Sequence, residues 1–164
     1  MKPMDIAIFT DGACEGNPGP GAAACVIRAS IGGRVHERRL VWYDPQTTNQ
    51  KMELLAAILG LEALQGTGHD VLITTDSQYV AKGLVEWMPN WKRNNWTKQV
   101  VNRELWQRLD RAAGLHRVRT RWVKGHNGHP ENTLCDKLAR QAVRTATSQG
   151  MVLDERTRNE EVPG

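Results

Sequence analysis

The amino-terminal part of the chain contains short strand-like runs, the first of which alternates weakly between apolar and polar positions. Three such runs, rich in β-forming residues, occupy residues 5–9, 22–28 and 34–43 and predict three strands. Residues 12–21 (GACEGNPGPG) are rich in glycine and proline and predict a turn region, and the glycine pair at residues 32–33 predicts a hairpin turn. Three strands joined by short connections predict an antiparallel meander.

Beyond residue 50 the pattern changes to helices that alternate with short apolar strands. A helix over residues 52–64 is apolar on nearly every face and is expected to be buried on both sides. Further strands are predicted at residues 71–75 and 118–123, and further helices at residues 77–86, 102–116 and 130–149. Strands separated by helices are expected to be parallel.

These elements predict one α/β domain over residues 1–149. Its mixed sheet has five strands, three antiparallel strands followed by parallel ones, with helices on both faces. Residues 150–164 are polar and are expected to form a disordered carboxy-terminal tail.

The composition adds a basic excess to this picture. The formal net charge is +4 at pH 7, which suits a polyanionic partner but is weak evidence alone. The first residues lack a signal-peptide pattern, and no stretch approaches the roughly 20 apolar residues of a membrane helix, so a cytoplasmic monomer without membrane contact is expected. Three cysteines without paired metal-ligand spacing, Cys14, Cys25 and Cys135, are expected to be reduced.

Four carboxylates occupy positions that the predicted fold can bring together. Asp11 and Asp76 end two strands predicted to be parallel neighbours, so their side chains emerge at one sheet edge, where ligand sites of α/β folds form. Glu53 lies in the first turn of the apolar helix, and Asp136 lies beside the apolar stripe of the last helix. Carboxylates about 4 Å apart repel by roughly 1–4 kcal/mol, and Mg²⁺, which prefers oxygen ligands, would offset that repulsion.

Each of these acids also has an ordinary structural explanation. Asp11 before Gly12 is typical of a turn, and Asp76 before Ser77 is typical of a helix cap. Glu53 and Asp136 taken alone could be helix-dipole partners or members of ion pairs. Spacing and periodicity therefore leave both the metal site and these separate roles open.

Six segments carry a resemblance to a known family: FTDGACEGNPGPGAA, TTNQKMELLAA, TTDSQYV, NWKRNNW, LWQRLD and WVKGHNGHPENTLCDKLAR. In this order, between about Asp5 and Ala142, they resemble bacterial type 1 ribonuclease H. The resemblance implies the ribonuclease-H-like fold and an endonuclease that hydrolyses the RNA strand of RNA–DNA hybrids. It further implies two Mg²⁺ ions during catalysis, with Mn²⁺ as a substitute, and products with 5′-phosphate and 3′-hydroxyl ends.

The resemblance also implies roles for individual residues. It makes Asp11, Glu53, Asp76 and Asp136 the catalytic metal ligands, and it gives His126 a part in proton transfer or product release. It places Glu53 and Gln78 near the RNA strand together with the backbone around Cys14, Gly16 and Asn17, and it places Thr48 and Asn49 at a phosphate of the DNA strand. The alternative for these polar residues is turn and cap chemistry.

By the same resemblance, a tryptophan-rich basic segment is expected to contact the DNA strand, through Trp87, Trp91, Lys92, Arg93 and Trp96. Aromatic rings beside positive charge suit stacking and phosphate attraction, although the tryptophans could equally form a small aromatic core. The segment between Trp96 and Trp106 (TKQVVNREL) is shorter than the lysine-rich loop of many bacterial relatives. We therefore expect weaker hybrid binding at raised salt than in relatives with the long loop.

Three other functions are compatible with parts of this pattern. A junction resolvase would share the clustered acids, but the segments GNPGPG and KGHNGHPEN favour the type 1 pattern. A non-catalytic nucleic-acid-binding module would be expected to lack at least one of the four acids. A structural or partner-binding protein would leave both the acids and the basic tryptophan segment unexplained.

Overall fold

The computed structural model describes residues 2–97, 99–125 and 129–160. For residues 159 and 160 it describes the backbone alone. Its strands are β1 (Asp5–Cys14), β2 (Gly19–Ile31), β3 (Arg34–Thr47), β4 (Asp70–Thr75), β5 (Arg117–Trp122) and β6 (Gly150–Glu160). Its helices are α1 (Asn49–Glu62), α2 (Gln78–Lys82), α3 (Met88–Arg93), α4 (Arg103–Ala113) and α5 (Pro130–Thr145), and a π-helical turn (Gly83–Trp87) joins α2 to α3.

The strands form one mixed sheet in the order β5-β4-β1-β2-β3-β6. The pairs β1–β2, β2–β3 and β3–β6 are antiparallel, whereas β1–β4 and β4–β5 are parallel. The α/β class, the antiparallel meander and the parallel strands are confirmed. The expected count of five strands is wrong, because the described residues form six.

The sixth strand also contradicts the expected disorder of residues 150–160. β6 pairs with β3 from Tyr43↔Gly150 to Arg34↔Glu160, and Arg38 donates two hydrogen bonds to Asp154, at 3.0 and 2.9 Å. Leu153 packs against the apolar cluster beneath α5. The remaining expected tail, residues 161–164, lies outside the described residues.

The core has two layers, one on each face of the sheet. The larger layer lies between the sheet and α1, with α4 packed on the outer side of α1. All ten residues from 52 to 61 of α1 are buried, which confirms a helix covered on both sides. The smaller layer lies under α5, where Cys135, Ala139 and Ala142 meet Val26 and Val41.

Truncation after Gln149 is expected to lower the free energy of unfolding by about 2 kcal/mol, because it removes the β3–β6 hydrogen bonds and the packing of Leu153. Urea unfolding of the two chains measures this difference. Leu153→Ala in the full chain, which keeps the strand pairing, should show only part of the loss. An unchanged unfolding midpoint after truncation would contradict a structural role for β6.

Candidate active site

Three carboxylates converge at the carboxyl ends of β1 and β4. Because Thr10 pairs with Thr75 in the parallel ladder, Asp11 and Asp76 lie side by side at the same sheet edge. Glu53 reaches them from α1, which packs directly on β1. One oxygen of each carboxylate lies within 4.8 Å of the others. Such an arrangement can hold a cation.

Gly12 sets the close approach between α1 and β1. A Cβ at this position would lie 2.6 Å from the backbone N of Glu53 and 2.7 Å from the carbonyl carbon of Met52. The Gly12 N–H donates to Asp11 Oδ1 at 2.9 Å and to Glu53 Oε1 at 3.1 Å. One backbone amide therefore holds a carboxylate oxygen of each residue.

The electrostatics of this cluster fit a bound cation. Burial, followed by repulsion from Glu53 and Asp76, raises the pKa of Asp11. Burial and the charge of Asp76 raise the pKa of Glu53, whose Oε2 is buried without a hydrogen-bond partner among the described residues. An orphaned carboxylate oxygen facing two further acids is costly without a positive ion. The hard oxygen donors suit Mg²⁺ or Mn²⁺.

Asp136 joins the same cleft from α5 without entering the closest group. It lines the cleft together with Asp11, Asp76 and Gly125, and its charge adds to the raised pKa of Asp11. Its Oδ1 accepts a hydrogen bond from Arg140 Nε at 3.0 Å. The structure thus brings all four predicted acids to one cleft.

The helix that carries Glu53 begins earlier than its apolar pattern predicts. α1 starts at Asn49, so Glu53 lies in its second turn rather than its first. The Thr48 hydroxyl caps this helix by accepting from the Lys51 N–H at 3.3 Å. The apolar run marks only the buried part of α1 and not its polar first turn. His126, the fifth predicted catalytic residue, lies outside the described residues.

The residues expected to contact the two strands of a hybrid surround the carboxylates. Asn49 donates its backbone N–H to Asn17 Oδ1 at 2.7 Å, which ties the start of α1 to the β1–β2 turn. In that turn Gly16 has a φ of 73°. A groove of about 430 Å³, lined in part by Cys14 and Asn49, leads from this turn to Asp136. Gln78 is exposed at the start of α2, beyond Asp76.

The tryptophan-rich segment is both packed and partly exposed. Trp106 is fully buried, and its Nε1 donates to the Tyr79 hydroxyl at 2.9 Å. The Trp91 ring meets Trp106 edge-on at 5.3 Å and lies 6.0 and 6.3 Å from the rings of Trp96 and Trp87. Trp87 keeps 37 % of its surface exposed. A buried ring therefore anchors an aromatic surface.

The helix predicted over residues 77–86 is interrupted by the π-helical turn. A Cβ on Gly83, the first residue of that turn, would lie 2.0 Å from Cη2 of Trp106. The turn thus places a glycine against the buried indole. Beyond it, on α3, Arg93 is exposed and Lys92 forms an ion pair with Asp110 at 3.0 Å.

The comparisons with known proteins agree with this geometry. The RNase H family model matches residues 3–144. The chain belongs to the RNase H family. A Ribonuclease H of Nitrobacter hamburgensis is 52 % identical over 145 residues, covering 86 % of this chain and 93 % of that protein. A Ribonuclease H of Escherichia coli O127:H6 is 49 % identical over 146 residues, covering 87 % and 91 %.

Solved structures show the same RNase H fold. LC9-RNase H1, described as a type 1 RNase H with the type 2 active-site motif, superposes with a TM-score of 0.82 at 32 % identity, covering 93 % of this chain and 78 % of that chain. RNase H1 from the archaeon Halobacterium salinarum gives a TM-score of 0.64 at 26 % identity, covering 87 % and 99 %. The resemblance to type 1 ribonuclease H is therefore confirmed.

Within this RNase H site, Asn132 is a residue that the sequence pattern did not single out. Its buried side-chain amide donates to the carbonyls of Thr10 and Thr74, each at 3.2 Å. These carbonyls belong to the strand ends that carry Asp11 and Asp76, and Asn132 lies one helical turn before Asp136. The amide thus fixes α5 against both strands. Its position after Pro130, in the first turn of α5, gave no separate signal.

Asn132→Ala is expected to raise the Mg²⁺ concentration for half-maximal activity about tenfold, because supporting groups of a metal site commonly contribute 10–100-fold to affinity or activity. Asn132→Asp, which keeps the shape but loses the amide donor, should show a similar rise. Gln141→Ala, on an exposed position of α5, is the matched control. An unchanged metal dependence in both Asn132 variants, with native stability, would exclude this positioning role.

Proposed function

We propose that this member of the RNase H family is an endonuclease that hydrolyses the RNA strand of RNA–DNA hybrids with two divalent metal ions. The observation that carries the proposal is the convergence of Asp11, Glu53 and Asp76 within 4.8 Å at the ends of two parallel strands. Asp136 completes the acidic set from α5. This arrangement supports metal-dependent phosphodiester hydrolysis more directly than it supports binding alone.

The four acids, Asp11, Glu53, Asp76 and Asp136, are the groups that would hold the ions. When bound, two ions about 3.5–4 Å apart activate a water and stabilise the leaving oxygen of an in-line displacement. We propose Mg²⁺ as the ion and Mn²⁺ as its substitute, since both accept carboxylate oxygen ligands. The expected products carry 5′-phosphate and 3′-hydroxyl ends.

The protein's own groups prepare this chemistry by fixing oxygen atoms. The Gly12 N–H orients one oxygen of Asp11 and one of Glu53, which leaves Glu53 Oε2 without a protein partner. Asp136 is half-buried and paired with Arg140. For His126 we propose a role in proton transfer or in product release.

Recognition of the hybrid is proposed to divide along its two strands. The backbone at Cys14, Gly16 and Asn17 would approach the RNA strand, as would Gln78, because the 2′-hydroxyl distinguishes RNA from DNA. Thr48 and Asn49 would contact a phosphate of the DNA strand, at the amino-terminal end of α1, where backbone N–H groups favour anions.

The basic tryptophan segment is proposed to extend the DNA-strand contact. Its contributing residues are Trp87, Trp91, Lys92, Arg93 and Trp96. Trp87 keeps an exposed face, and Arg93 on α3 is also exposed, which supports stacking together with phosphate attraction. The short segment after Trp96 should weaken this contact, so we expect weaker hybrid binding at raised salt than in relatives with the long loop. A side-by-side titration measures it, and equal affinities throughout would contradict the expectation.

None of the helices in the described ranges has the length and apolar character needed to cross a membrane. We propose that the protein acts as a monomer in the cytoplasm.

Cleavage of end-labelled duplexes tests the proposed function. The substrates are an RNA–DNA hybrid, double-stranded RNA, double-stranded DNA and single-stranded RNA, each with Mg²⁺ and with chelator. Chelator-sensitive cuts confined to the RNA of the hybrid are expected. A sample that binds the hybrid but does not cut it would favour a non-catalytic binding module instead.

A further inference from the structure

Three arginines form a row on the outermost parallel strand. Arg117, Arg119 and Arg121 occupy alternate positions of β5, and all three are exposed. In the parallel ladder they lie opposite Asp70, Leu72 and Thr74, so their side chains share one face of the sheet. Alternate residues of a strand are about 6.6 Å apart. The row therefore presents regularly spaced guanidinium groups.

This face belongs to the side of the sheet that α5 covers only in part. α5 packs on β1, β2 and β3, whereas the arginine row lies two strands beyond β1 at the sheet edge. A groove of about 470 Å³ adjoins the row at the end of the sheet away from Asp11, lined in part by Ala7, Leu72 and Arg119. The row thus borders an open surface with an apolar floor.

Positive charge continues from the row to the active-site cleft. At the far end of the row, Asp70 lies 4.0 Å from Arg119 and offsets part of its charge. Arg117 and Arg121 have no ion-pair partner within the ranges that the structure describes. Arg121 precedes Trp122, whose Nε1 donates to the carbonyl of Asp76, and Lys124 lines the cleft itself. The row consequently leads away from the carboxylates along the strand.

Protection of a sheet edge does not account for this arrangement. Exposed edge strands commonly carry charges that prevent pairing with other chains, but a single inward or edge charge serves that purpose. Three like charges on one face repel each other. They are all arginines, whose planar guanidinium groups bind phosphate with two hydrogen bonds. The feature that they complement is a chain of phosphates.

We propose that this arginine row binds a single-stranded extension of the nucleic acid whose duplex part occupies the cleft. The inference rests on the proposed function, since it takes the hybrid in the cleft as its starting point. A duplex is stiff, with a persistence length of about 150 base pairs for DNA, and leaves the cleft in a straight line. A single strand can bend and follow the row down the sheet, where its phosphates meet the arginines without base-specific contacts.

Binding in chelator, where no cleavage occurs, tests the inference. One blunt hybrid is compared with four versions of it that carry a single-stranded extension on either end of the RNA or of the DNA strand. At least one extension is expected to tighten binding by the parent protein about five- to tenfold, and R117Q/R119Q/R121Q should lose that gain. For the extended hybrid, the slope of log K against log[salt] should be smaller in magnitude by about 2 in the glutamine variant than in the parent protein. Each single-strand phosphate contact contributes about 0.7 to that slope.

Two matched variants separate charge from structure. R117K/R119K/R121K keeps the charge and should retain most of the gain, and the single variant R121Q should lose part of it. R158Q removes an exposed arginine from β6, at the opposite end of the sheet from Asp11, and should change nothing. Thermal unfolding verifies that each variant is folded.

Three outcomes would overturn the inference: no extension tightens binding by the parent protein, the glutamine variant loses equal affinity for blunt and extended hybrids, or R158Q has the same effect. Equal loss on the blunt hybrid would point to contact with the duplex instead. Cleavage of the blunt hybrid with Mg²⁺ keeps the two proposals apart. The arginine variants should retain it, whereas its absence in the parent protein would refute the proposed function.

Discussion

Asp11→Asn is expected to reduce hybrid cleavage at least about 10³-fold while leaving the metal-free protein more stable. Metal-ion stabilisation of a transition state is worth several kcal/mol, and each 1.4 kcal/mol corresponds to a factor of ten. Burial beside Glu53 and Asp76 raises the pKa of Asp11, so this carboxyl lowers the stability of the metal-free protein at neutral pH by about 1 kcal/mol or more, a cost that the amide removes. Initial cleavage rates with Mg²⁺ and thermal unfolding in chelator measure the two effects.

The matched control for this variant is Asp5→Asn. Asp5 is the exposed first residue of β1, the strand that carries Asp11 towards its other end. The same chemical change at Asp5 should therefore alter neither the cleavage rate nor the stability. Added Mg²⁺ should stabilise the parent protein and the Asp5 variant but not the Asp11 variant, because a ligand that binds only the folded state raises stability. Appreciable Mg²⁺-dependent cleavage by Asp11→Asn would refute the assignment of Asp11.

Trp106→Ala should lower the free energy of unfolding by about 3–5 kcal/mol, the usual cost of removing a buried aromatic side chain. The indole is fully buried against Gly83, Tyr79 and Trp91. The cavity left by this truncation would also remove the ring against which Trp91 packs, and with it the support for the aromatic surface. Urea unfolding measures the stability, and hybrid binding in chelator measures the surface.

Trp87→Ala provides the opposite case on the same aromatic cluster. With 37 % of its surface exposed, its removal should cost less than about 1.5 kcal/mol of stability. If it stacks on the nucleic acid, the loss of binding should correspond to about 1–3 kcal/mol. A Trp87 variant that binds the hybrid normally would limit the tryptophans to a packing role.

The sequence predicted the parts of the fold that depend on strong apolar patterns. The run over residues 52–64 is apolar all round, and α1 is indeed enclosed between the sheet and α4. The apolar strand before Asp76 and the strand before Asp11 are parallel neighbours, so the convergence of two carboxylates followed from topology. Glu53 and Asp136 were candidates from their helix positions, but only the resemblance assigned them to the site, because a single acid on a helix has several ordinary roles.

The elements that the sequence pattern missed are stabilised by contacts between distant residues. β6 has exposed Met151 and Val152 and four charged residues between Asp154 and Arg158, a composition that suits an edge strand as well as a disordered tail. Only its pairing with β3 distinguishes the two. Asn132 was missed for the same reason, since its partners Thr10 and Thr74 lie 122 and 58 residues away.

The break in the helix after Lys82 also depends on a tertiary contact. The π-helical turn from Gly83 to Trp87 follows no propensity in the local sequence. It accommodates the ring of Trp106, which lies against Gly83. Gly83, inside the predicted helix, was the one local signal, because glycine in a helix costs about 1 kcal/mol relative to alanine.

The proposed catalysis depends most directly on two ions held by the four carboxylates. Anomalous scattering from Mn²⁺ in crystals of the Asp76→Asn variant with an RNA–DNA hybrid would locate them while cleavage is slow. We predict two Mn²⁺ peaks about 3.5–4 Å apart, one on each side of Asp11, with a phosphate of the RNA strand between them. A hybrid seated elsewhere, or a cleft with hybrid but no Mn²⁺ peak at Asp11 and Glu53, would contradict the account.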